Sequence, residues 1–343
     1  MILILTQAYD PHADAVIDVL NRKNAKYVKF QTEDIPQKIG VRLEYTDDVR
    51  SFELEICDSL VSLDEVRAVW NRRPEVPIPA PNVSAEDQKF IRKESNHVLG
   101  SLYELLRDRF WVNSHFATRA AEHKPYQLQM AQAVGFEIPK TLITNRPEKV
   151  LDFYDSCKTG MIYKSLGGCA RVENGKTAVI YTTRVERENL VSYMDQIKYA
   201  PCIFQEEIPK QVELRVVVIG NRIFTDEISS QNSKYTNIDW RRYFMEEVPH
   251  RRSNIPSQVE KKIHDLMSRL GLVFACLDMV KTPDGRFVFL ELNPNGNWQW
   301  TEDLTGLPLL ENFTEMLIQG TPSYLTTNSM DNVGVVRSDE SRF

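Results

Sequence analysis

The chain has 343 residues, of which 42% are hydrophobic and 26% charged, and its formal net charge is −6. This length allows two or three packed domains, and the composition is ordinary for a soluble enzyme. The negative charge argues against nucleic acid and anionic membranes as partners. Neither a signal peptide nor an apolar run of membrane length is recognisable, so we expect a cytoplasmic protein. Five cysteines without a C-x-x-C pair and six histidines without ligand spacing favour reduced thiols and argue against a zinc site.

The N-terminal third predicts an open α/β domain. Strands over residues 2–5 and 26–30 enclose a helix over residues 12–23, which makes a β-α-β unit. The first turn of this unit lacks glycine, so we do not expect a Rossmann-type nucleotide site there. A proline-rich loop leads into a helix predicted from Ser84 to about Phe110. The inward face of that helix is expected to carry Phe90, Val98, Leu102, Leu105 and Leu106.

From residue 117 onward, short strands alternate with helices. The pattern predicts a helix over residues 117–134 that Gly135 caps, and a strand over residues 138–144. Two later strands, over residues 213–219 and 222–229, flank Gly220-Asn221, a dipeptide typical of a primed hairpin turn. Further elements are predicted as strands over 161–164 and 202–205 and as helices over 257–270 and 309–319.

The hairpin turn at Gly220-Asn221 fixes a register that places Arg215 opposite Asp226. Glu213 lies on the same face, so charged residues alternate there with the period of a strand. Such a face can line a cleft or carry a surface salt bridge, and the pattern alone favours neither.

A second hairpin is predicted near the end of the chain, where strand-like runs over residues 273–281 and 286–293 flank a turn-rich segment. A four-residue loop places Asp278 opposite Phe289, and Asp278, Glu291 and Asn293 then project from one face. The other face is expected to be a core surface that carries Val273, Ala275, Leu277, Met279, Val288, Leu290 and Leu292.

Two carboxylates and an amide oxygen on an otherwise apolar hairpin are expensive to desolvate unless a cation satisfies them. Hard oxygen ligands in small number suit Mg²⁺ that is shared with the phosphates of a nucleotide. The alternative is a charged face in contact with solvent. The abrupt end of the strand at Pro294-Asn295-Gly296 favours the metal site.

Two other segments are candidates for nucleotide contacts. Lys164 ends a strand just before Gly167-Gly168, and glycine lets backbone N–H groups approach a phosphate chain; an exposed lysine beside a glycine turn is the alternative. Gln205, Glu206 and Ile208 follow a buried strand, where polar residues around an apolar one could hold a flat base. An ordinary strand exit with solvated glutamates is the alternative there.

Taken in chain order, the chemistry-bearing residues resemble the signature of the ATP-grasp ligases. That signature comprises Lys124, Lys164 with Gly167-Gly168, the segment 205–208, Glu213-Leu214-Arg215, Asp278 and the segment 291–295. Segments 69–74, 123–129, 138–145 and 291–298 resemble, more narrowly, the graspetide maturases of the microviridin type. The resemblance spans residues 1–320, and the Trp298-Gln299-Trp300 pair of indoles departs from the aliphatic residue expected near Trp300.

The resemblance implies an α/β (α+β) ATP-grasp fold that uses ATP and Mg²⁺. It divides the chain into an open α/β pre-ATP-grasp domain (1–115), a central lid domain (116–200), an antiparallel-sheet catalytic domain (201–320) and a flexible tail (321–343). By this resemblance, Lys124 and Lys164 would contact the ATP phosphates, and Gly167 and Gly168 would form a mobile lid over them. Gln205, Glu206 and Ile208 would hold adenine, and Glu213 the ribose. Asp278, Glu291 and Asn293 would hold Mg²⁺, and Arg215 with Lys164 would stabilise charge in catalysis.

By the same resemblance, the protein is expected to be a peptide macrocyclase. It would phosphorylate Asp or Glu side chains of a ribosomal precursor peptide and join them to Ser or Thr hydroxyls or Lys amines, releasing ADP and phosphate. Segments 171–184 and 229–242 are candidates for binding the leader of that peptide, and a homodimer is expected. The alternatives are an ATP-grasp ligase for small molecules or protein tails, and a non-catalytic peptide-binding protein, which the presence of both lysines and all metal ligands argues against.

Overall fold

The computed structural model describes residues 1–56, 59–168, 170–173, 176–232, 238 and 248–326. No helix in these ranges combines the length and the apolar character needed to cross a membrane. Residues 327–343, which make up most of the predicted tail, lie outside the described part of the chain.

The N-terminal unit is built on a parallel four-stranded sheet in the order β2-β1-β6-β7. Helix α1 connects β1 to β2, and Asp10 caps its first turn by accepting hydrogen bonds from the backbone of His12 and Ala13. A three-stranded antiparallel sheet, β3-β4-β5, and helix α2 cover one face of the parallel sheet. The elements are β1 (Ile2–Thr6), α1 (Pro11–Arg22), β2 (Tyr27–Gln31), β3 (Ile39–Tyr45), β4 (Arg50–Ile56), β5 (Ser59–Ser62), β6 (Ala68–Asn71), α2 (Ala85–Leu105) and β7 (Phe110–Val112).

The middle of the chain forms a smaller antiparallel sheet in the order β12-β9-β13-β8, with a β10–β11 hairpin beside it. This sheet packs on α5 and α6 around a core that is separate from the others, centred on Val150, Met161 and Phe204. The elements are α3 (His115–Ala121), α4 (Lys124–Ala133), β8 (Thr141–Thr144), α5 (Glu148–Ser156), β9 (Met161–Lys164), β10 (Ala170–Glu173), β11 (Lys176–Val179), β12 (Thr183–Val185), α6 (Arg187–Tyr193) and β13 (Cys202–Glu206).

The C-terminal unit is an antiparallel five-stranded sheet in the order β16-β15-β14-β17-β18. The predicted pairing of Ile219 with Arg222 and of Arg215 with Asp226 is confirmed, and Gly220 takes a positive φ of 56° in the turn between them. The elements are β14 (Val212–Ile219), β15 (Arg222–Ile228), β16 (His250–Ser253), α7 (Ser257–Leu270), β17 (Phe274–Lys281), β18 (Phe287–Asn293), α8 (Gln299–Thr305) and α9 (Leu309–Gln319).

The two faces of the C-terminal sheet pack on different elements. One face packs entirely on α3, α4 and α7 through residues such as Leu214 and Val216. On the other face the apolar half, with Val217 and Ile219, packs on the N-terminal sheet and α9. The remaining half of that face carries Arg215 and the other charged residues of β14, so the charged residues emerge beside the junction with the N-terminal unit.

Two helix predictions were partly wrong. The helix predicted over residues 117–134 is two helices, because Pro125 lacks an N–H group and sits in the first turn of α4, where it prevents continuation of α3. In α2, Phe90 and Leu105 were predicted to face inward but are 64% and 39% exposed, whereas Leu102 is buried. The periodicity of α2 therefore extends beyond the part of the helix that the sheet covers.

The register predicted for the late hairpin was also wrong. The structure pairs Met279 with Phe289 but Asp278 with Glu291, so a β-bulge leaves Leu290 without a direct partner. Phe289 consequently packs in the core, and Leu290, predicted to be core, lines the cavity described below. Phe289 and Leu290 thus take each other's predicted faces of the sheet, yet the bulge keeps Glu291 on the same face as Asp278.

Glycine is required in the loop after β18. A Cβ atom at residue 296 would lie 2.5 Å from Cβ of Cys276 and 2.8 Å from its sulfur. We expect Gly296→Ala to lower the free energy of unfolding by about 1–3 kcal/mol through overpacking, as measured by urea denaturation. Gly100→Ala is the matched control, because a Cβ there meets open space within a helix and should not destabilise the protein. An unchanged urea midpoint for Gly296→Ala would contradict the tight packing of this loop.

Candidate functional site

A cavity of about 510 Å³ lies where the central sheet, the C-terminal sheet and the loop after β18 meet. Eleven of the twelve residues predicted from the sequence to form the site line its wall: Lys124, Lys164, Gly168, Gln205, Glu206, Ile208, Glu213, Arg215, Asp278, Glu291 and Asn293. Gly167 is the exception, and it lies exposed beside Gly168. The structure therefore brings together residues that are up to 169 positions apart in the chain.

Two carboxylates at the base of the cavity are each held by a cation. Nζ of Lys124 donates to Oε2 of Glu291 at 2.8 Å, and Nη1 of Arg215 donates to Oδ1 of Asp278 at 2.8 Å. Asp278 lies directly opposite Arg215 on the neighbouring strand, so the pair follows from the register of β14 and β17. Arg215 is only 7% exposed, which excludes the surface salt bridge that the sequence left open. Asp226, its other cross-strand neighbour, contacts His250 instead, with 2.7 Å between Oδ2 and Nδ1.

The amide of Asn293 lies between the two carboxylates. Its Nδ2 is 3.5 Å from Oδ2 of Asp278 and 3.5 Å from Oε1 of Glu291. The amide group thus places a partial positive charge between two anionic oxygens, where a cation would be favourable. Rotation of the amide by half a turn would present Oδ1 instead, which completes a set of hard oxygen donors suited to Mg²⁺. These three residues therefore fit a divalent ion.

The side of the cavity formed by β13 fits a base. Gln205 is buried, and its Oε1 accepts no hydrogen bond from the described residues although its Nε2 donates to Thr141 at 2.9 Å. Ile208 adds an apolar wall. The carboxylate of Glu206 accepts from the backbone N–H of Lys158 at 2.7 Å. A buried acceptor without a donor is costly, and an exocyclic amine of a bound base would satisfy it.

The Lys164 side of the cavity is open. Lys164 ends β9 and pairs with Ile203 of β13, so a rigid strand holds its backbone. A Cβ atom added at Gly167 or Gly168 would meet nothing within 4 Å, and Gly168 has a φ of 149°. These glycines therefore leave space above the cavity for a bound group.

Glu213 is a buried carboxylate that a lysine partly neutralises. Burial raises the pKa of Glu213, while Lys210, whose Nζ lies 2.9 Å from Oε1, opposes that rise. Lys210 also donates to the backbone oxygen of Ile238 at 2.9 Å. The acceptor oxygens of Glu213 stay at the cavity wall and can receive hydroxyl donors.

The loop after β18 is held by the N-terminal unit. Arg72 is 1% exposed and forms a buried ion pair with Asp10, with 3.0 Å between Nε and Oδ2. Its two terminal nitrogens donate to the backbone oxygen of Asn295 at 2.9 Å and to Oδ1 of Asn297 at 3.0 Å. The backbone oxygen of Asn297 in turn accepts from Nη2 of Arg215 at 2.7 Å. A chain of hydrogen bonds therefore runs from helix α1 to the arginine of the site.

His12 holds the next part of the same loop. Its Nε2 accepts from the backbone N–H groups of Trp298 at 3.1 Å and Gln299 at 3.4 Å, so the ring is neutral with its proton on Nδ1. Burial, with a further contribution from Arg72, lowers the pKa of His12 to about 4. Trp298 is buried against this ring and stacks on Phe313.

Sequence reasoning missed several residues of the site. Trp300 lines the cavity with its ring 5.6 Å from the guanidinium carbon of Arg215, whereas the sequence marked it only as a departure from an expected aliphatic residue. Lys210, Arg73 and Asn297 also line the wall. Arg73 and Asn297 belong to segments 69–74 and 291–298 that carry the family resemblance, but none of the three was assigned to the site. The candidate leader-binding segments 171–184 and 229–242 lie partly outside the described residues.

Comparisons with known proteins relate this chain to ATP-grasp ligases. The family model of the MvdD pre-ATP grasp domain matches residues 1–119. The structure of the macrocyclase MdnC from Microcystis aeruginosa MRC, bound with its precursor peptide MdnA, is 30% identical with a TM-score of 0.80, and the match covers 93% of this chain and 99% of that chain. A comparison with curated protein sequences gave no match.

Two further solved structures contain nucleotides. A RiPP-associated ATP-grasp ligase from Chryseobacterium gregarium, in complex with ADP and a leader and core peptide, is 25% identical with a TM-score of 0.83, covering 93% of this chain and 96% of that chain. The ATP-grasp ligase PsnB, complexed with a minimal precursor, Mg and ADP, has a TM-score of 0.75 with the same coverage, and at 21% identity it shows the fold alone.

The low pKa of His12 predicts a pH dependence of stability. The unfolded chain binds a proton to this ring below about pH 6.5, whereas the folded protein does so only near pH 4. The contribution of His12 is therefore fully present above pH 6.5 and is lost as the pH falls toward 4, by up to about 3 kcal/mol. Urea denaturation between pH 7 and 4 measures it. His12→Gln, which keeps an acceptor but cannot titrate, should show a flatter dependence; equal slopes for both proteins would refute the assignment.

Proposed function

Because the chain belongs to the ATP-grasp ligases of the graspetide, microviridin-type maturase family, we propose that this ATP-dependent ligase cyclises a ribosomal precursor peptide. It would phosphorylate Asp or Glu side chains of that peptide and join them to Ser or Thr hydroxyls or Lys amines, as esters or amides. Support comes from the 30% identity to a macrocyclase bound with its precursor peptide and from a cavity in which carboxylates, an amide and cations converge.

One observation carries the proposal. The carboxylates of Asp278 and Glu291 flank the amide of Asn293, and a cation faces each carboxylate. We propose that Asp278, Glu291 and Asn293 hold Mg²⁺, which would screen the phosphate charges of ATP. Lys124 and Lys164 would contact those phosphates, and Arg215 would stabilise the charge of the transferring phosphoryl group.

The rest of the cavity suits the other parts of a nucleotide. We propose that Gln205, Glu206 and Ile208 bind adenine, that Glu213 binds the ribose, and that the Gly167-Gly168 loop closes over the phosphates. The unsatisfied Oε1 of Gln205 supports the base site, and the open space above both glycines supports the loop. Closure would also exclude water from an activated acyl group.

The chemistry follows from the charges. The substrate carboxylate attacks the γ-phosphorus of ATP, the bond to ADP breaks, and an acyl phosphate forms. A hydroxyl or amine then attacks the acyl carbon, phosphate leaves, and the nucleophile loses its proton. Both partners of the first step are anions, so stabilisation of charge and alignment of the reactants supply most of the rate enhancement. No nucleophilic residue of the protein is required for this sequence.

We also propose the domain limits 1–115, 116–200, 201–320 and 321–343, together with a homodimeric state. The alternative function is an ATP-grasp ligase that joins a small carboxylic acid to an amine or extends a protein tail. A non-catalytic leader-binding role is less well supported, because every proposed nucleotide and metal contact is present in the chain.

Dependence of ATP hydrolysis on a peptide tests the proposed function. The peptide to use is the product of a short neighbouring reading frame whose core is rich in Thr, Ser or Lys and in Asp or Glu. We expect this peptide to stimulate ADP release and to lose one water for each bond formed, as seen by mass spectrometry. Stimulation by free amino acids or small acids instead, with no change in the mass of the peptide, would favour the alternative ligase.

The proposed metal ligands make a separate prediction. Glu291→Gln and Asp278→Ala should abolish ATP turnover, because each removes a charged metal ligand and frees a cation that it held. Both side chains are partly exposed, so the variants should stay folded by circular dichroism. Glu311→Gln, which alters an ion pair with Lys23 outside the cavity, is the control and should keep full activity. Full ligase activity in Glu291→Gln or Asp278→Ala would refute the metal assignment.

A further inference from the structure

Arg73 differs from three other cations of the cavity wall. Lys124, Lys210 and Arg215 each already hold a carboxylate of the wall. Within the described part of the chain, the guanidinium of Arg73 makes one hydrogen bond, and its partner is neutral, with 2.9 Å between Nη2 of Arg73 and Oδ1 of Asn297. Within the described residues, no carboxylate lies at ion-pair distance from Arg73, although Glu122 also lines the wall. Most of the donors of this guanidinium are therefore available to a ligand.

The position of Arg73 separates it from the proposed nucleotide contacts. It follows β6 of the N-terminal sheet, and within the described chain it is the single residue before Glu122 that lines the cavity. The adenine, ribose and phosphate contacts proposed above come from the central and C-terminal sheets and from α4. The N-terminal unit thus reaches the cavity with one positive charge.

Asn297 fixes the distance between Arg73 and Arg215. Its side-chain oxygen accepts from Arg73, and its backbone oxygen accepts from Arg215 at 2.7 Å. The dimensions of one asparagine then keep the two bonded guanidinium nitrogens within roughly 10 Å of each other. A carboxylate held by Arg73 therefore lies within reach of a phosphoryl group held by Arg215.

We propose that Arg73 binds the substrate carboxylate that is to be activated. This inference rests on the proposed function, and it names the residue that receives the acid side chain. The carboxylate must approach the anionic triphosphate, and Arg215 is less available to it, because both of its terminal nitrogens already donate to Asp278 and Asn297 and the proposed function assigns it to the phosphoryl group. A guanidinium with free donors can hold a carboxylate by two parallel hydrogen bonds. Arg72, buried behind Asn297, is paired with Asp10, so Arg73 supplies the charge on this side.

Two small ligands test this role without turnover. The α-amide of N-acetylglutamic acid carries the side-chain carboxylate as its sole charge, and the corresponding glutamine derivative is neutral. In the presence of ADP and Mg²⁺, NMR titration should show that the wild-type protein binds the acid about tenfold more tightly or better. Arg73→Gln should abolish this preference, and Arg73→Lys should keep part of it because it retains the charge but not the paired donors. Arg92→Gln, an exposed arginine on α2, is the matched control and should keep the full preference.

Three results would overturn the proposal. The first is equal binding of both ligands by the wild-type protein, and the second is an unchanged preference for the acid in Arg73→Gln. The third is a loss of ADP affinity in Arg73→Gln, which would place Arg73 at the nucleotide. Failure of the proposed function is read in a different measurement, the stimulation of ATP hydrolysis by the precursor peptide. A protein that prefers the acid through Arg73 but ignores the peptide would be a ligase for another carboxylate.

Discussion

The buried ion pair between Arg72 and Asp10 links the N-terminal sheet to the site. Neither charge is accessible to solvent, so each requires the other, and loss of one partner from such a pair typically costs about 3–5 kcal/mol. Arg72 directs its remaining donors to the loop after β18, and the backbone oxygen of Asn297 in that loop orients Arg215. The N-terminal unit, which contributes one residue to the described cavity wall, therefore determines the geometry of the arginine at its centre.

The same loop shows why packing and chemistry are inseparable here. Gly296 lies against Cys276 of β17, so β18 must end where it does and the chain must turn beneath Arg215. His12 accepts from the two N–H groups that follow, which is possible only for a neutral ring. The apolar half of the C-terminal sheet, packed on the N-terminal sheet and α9, supports this turn from below. The charged half can then stay open to ligands.

The residues of the site could be predicted from the sequence, but the register of the late hairpin that carries three of them could not. Arg215 and Asp226 could be paired because Gly220-Asn221 leaves a turn of one length. The late hairpin lacks that constraint, because its loop runs from Thr282 to Arg286 and a bulge follows. Counting residues from the turn therefore placed Phe289 on the charged face and Leu290 in the core, and the structure has them the other way round. The sequence noted the segment around Arg73 and the unusual Trp300 but could not assign their roles, because those roles depend on contacts made across the junction between units. Such contacts have no periodic signal in the chain.

The arrangement of the cores explains how the cavity can admit and then enclose a nucleotide. Among the described residues, the core of the central sheet shares none with the cores on either face of the C-terminal sheet. Charged residues of this unit pair within it, as Arg184 does with Glu207 and Lys140 with Glu206. Units with separate apolar cores can shift relative to each other, whereas the two sides of one interdigitated core cannot. Lys164 and the glycines after it are carried by this separate unit, while Arg215 and the carboxylates belong to the fixed one. Movement of the central sheet would therefore bring Lys164 toward the proposed triphosphate site without disturbing the oxygens proposed to hold Mg²⁺.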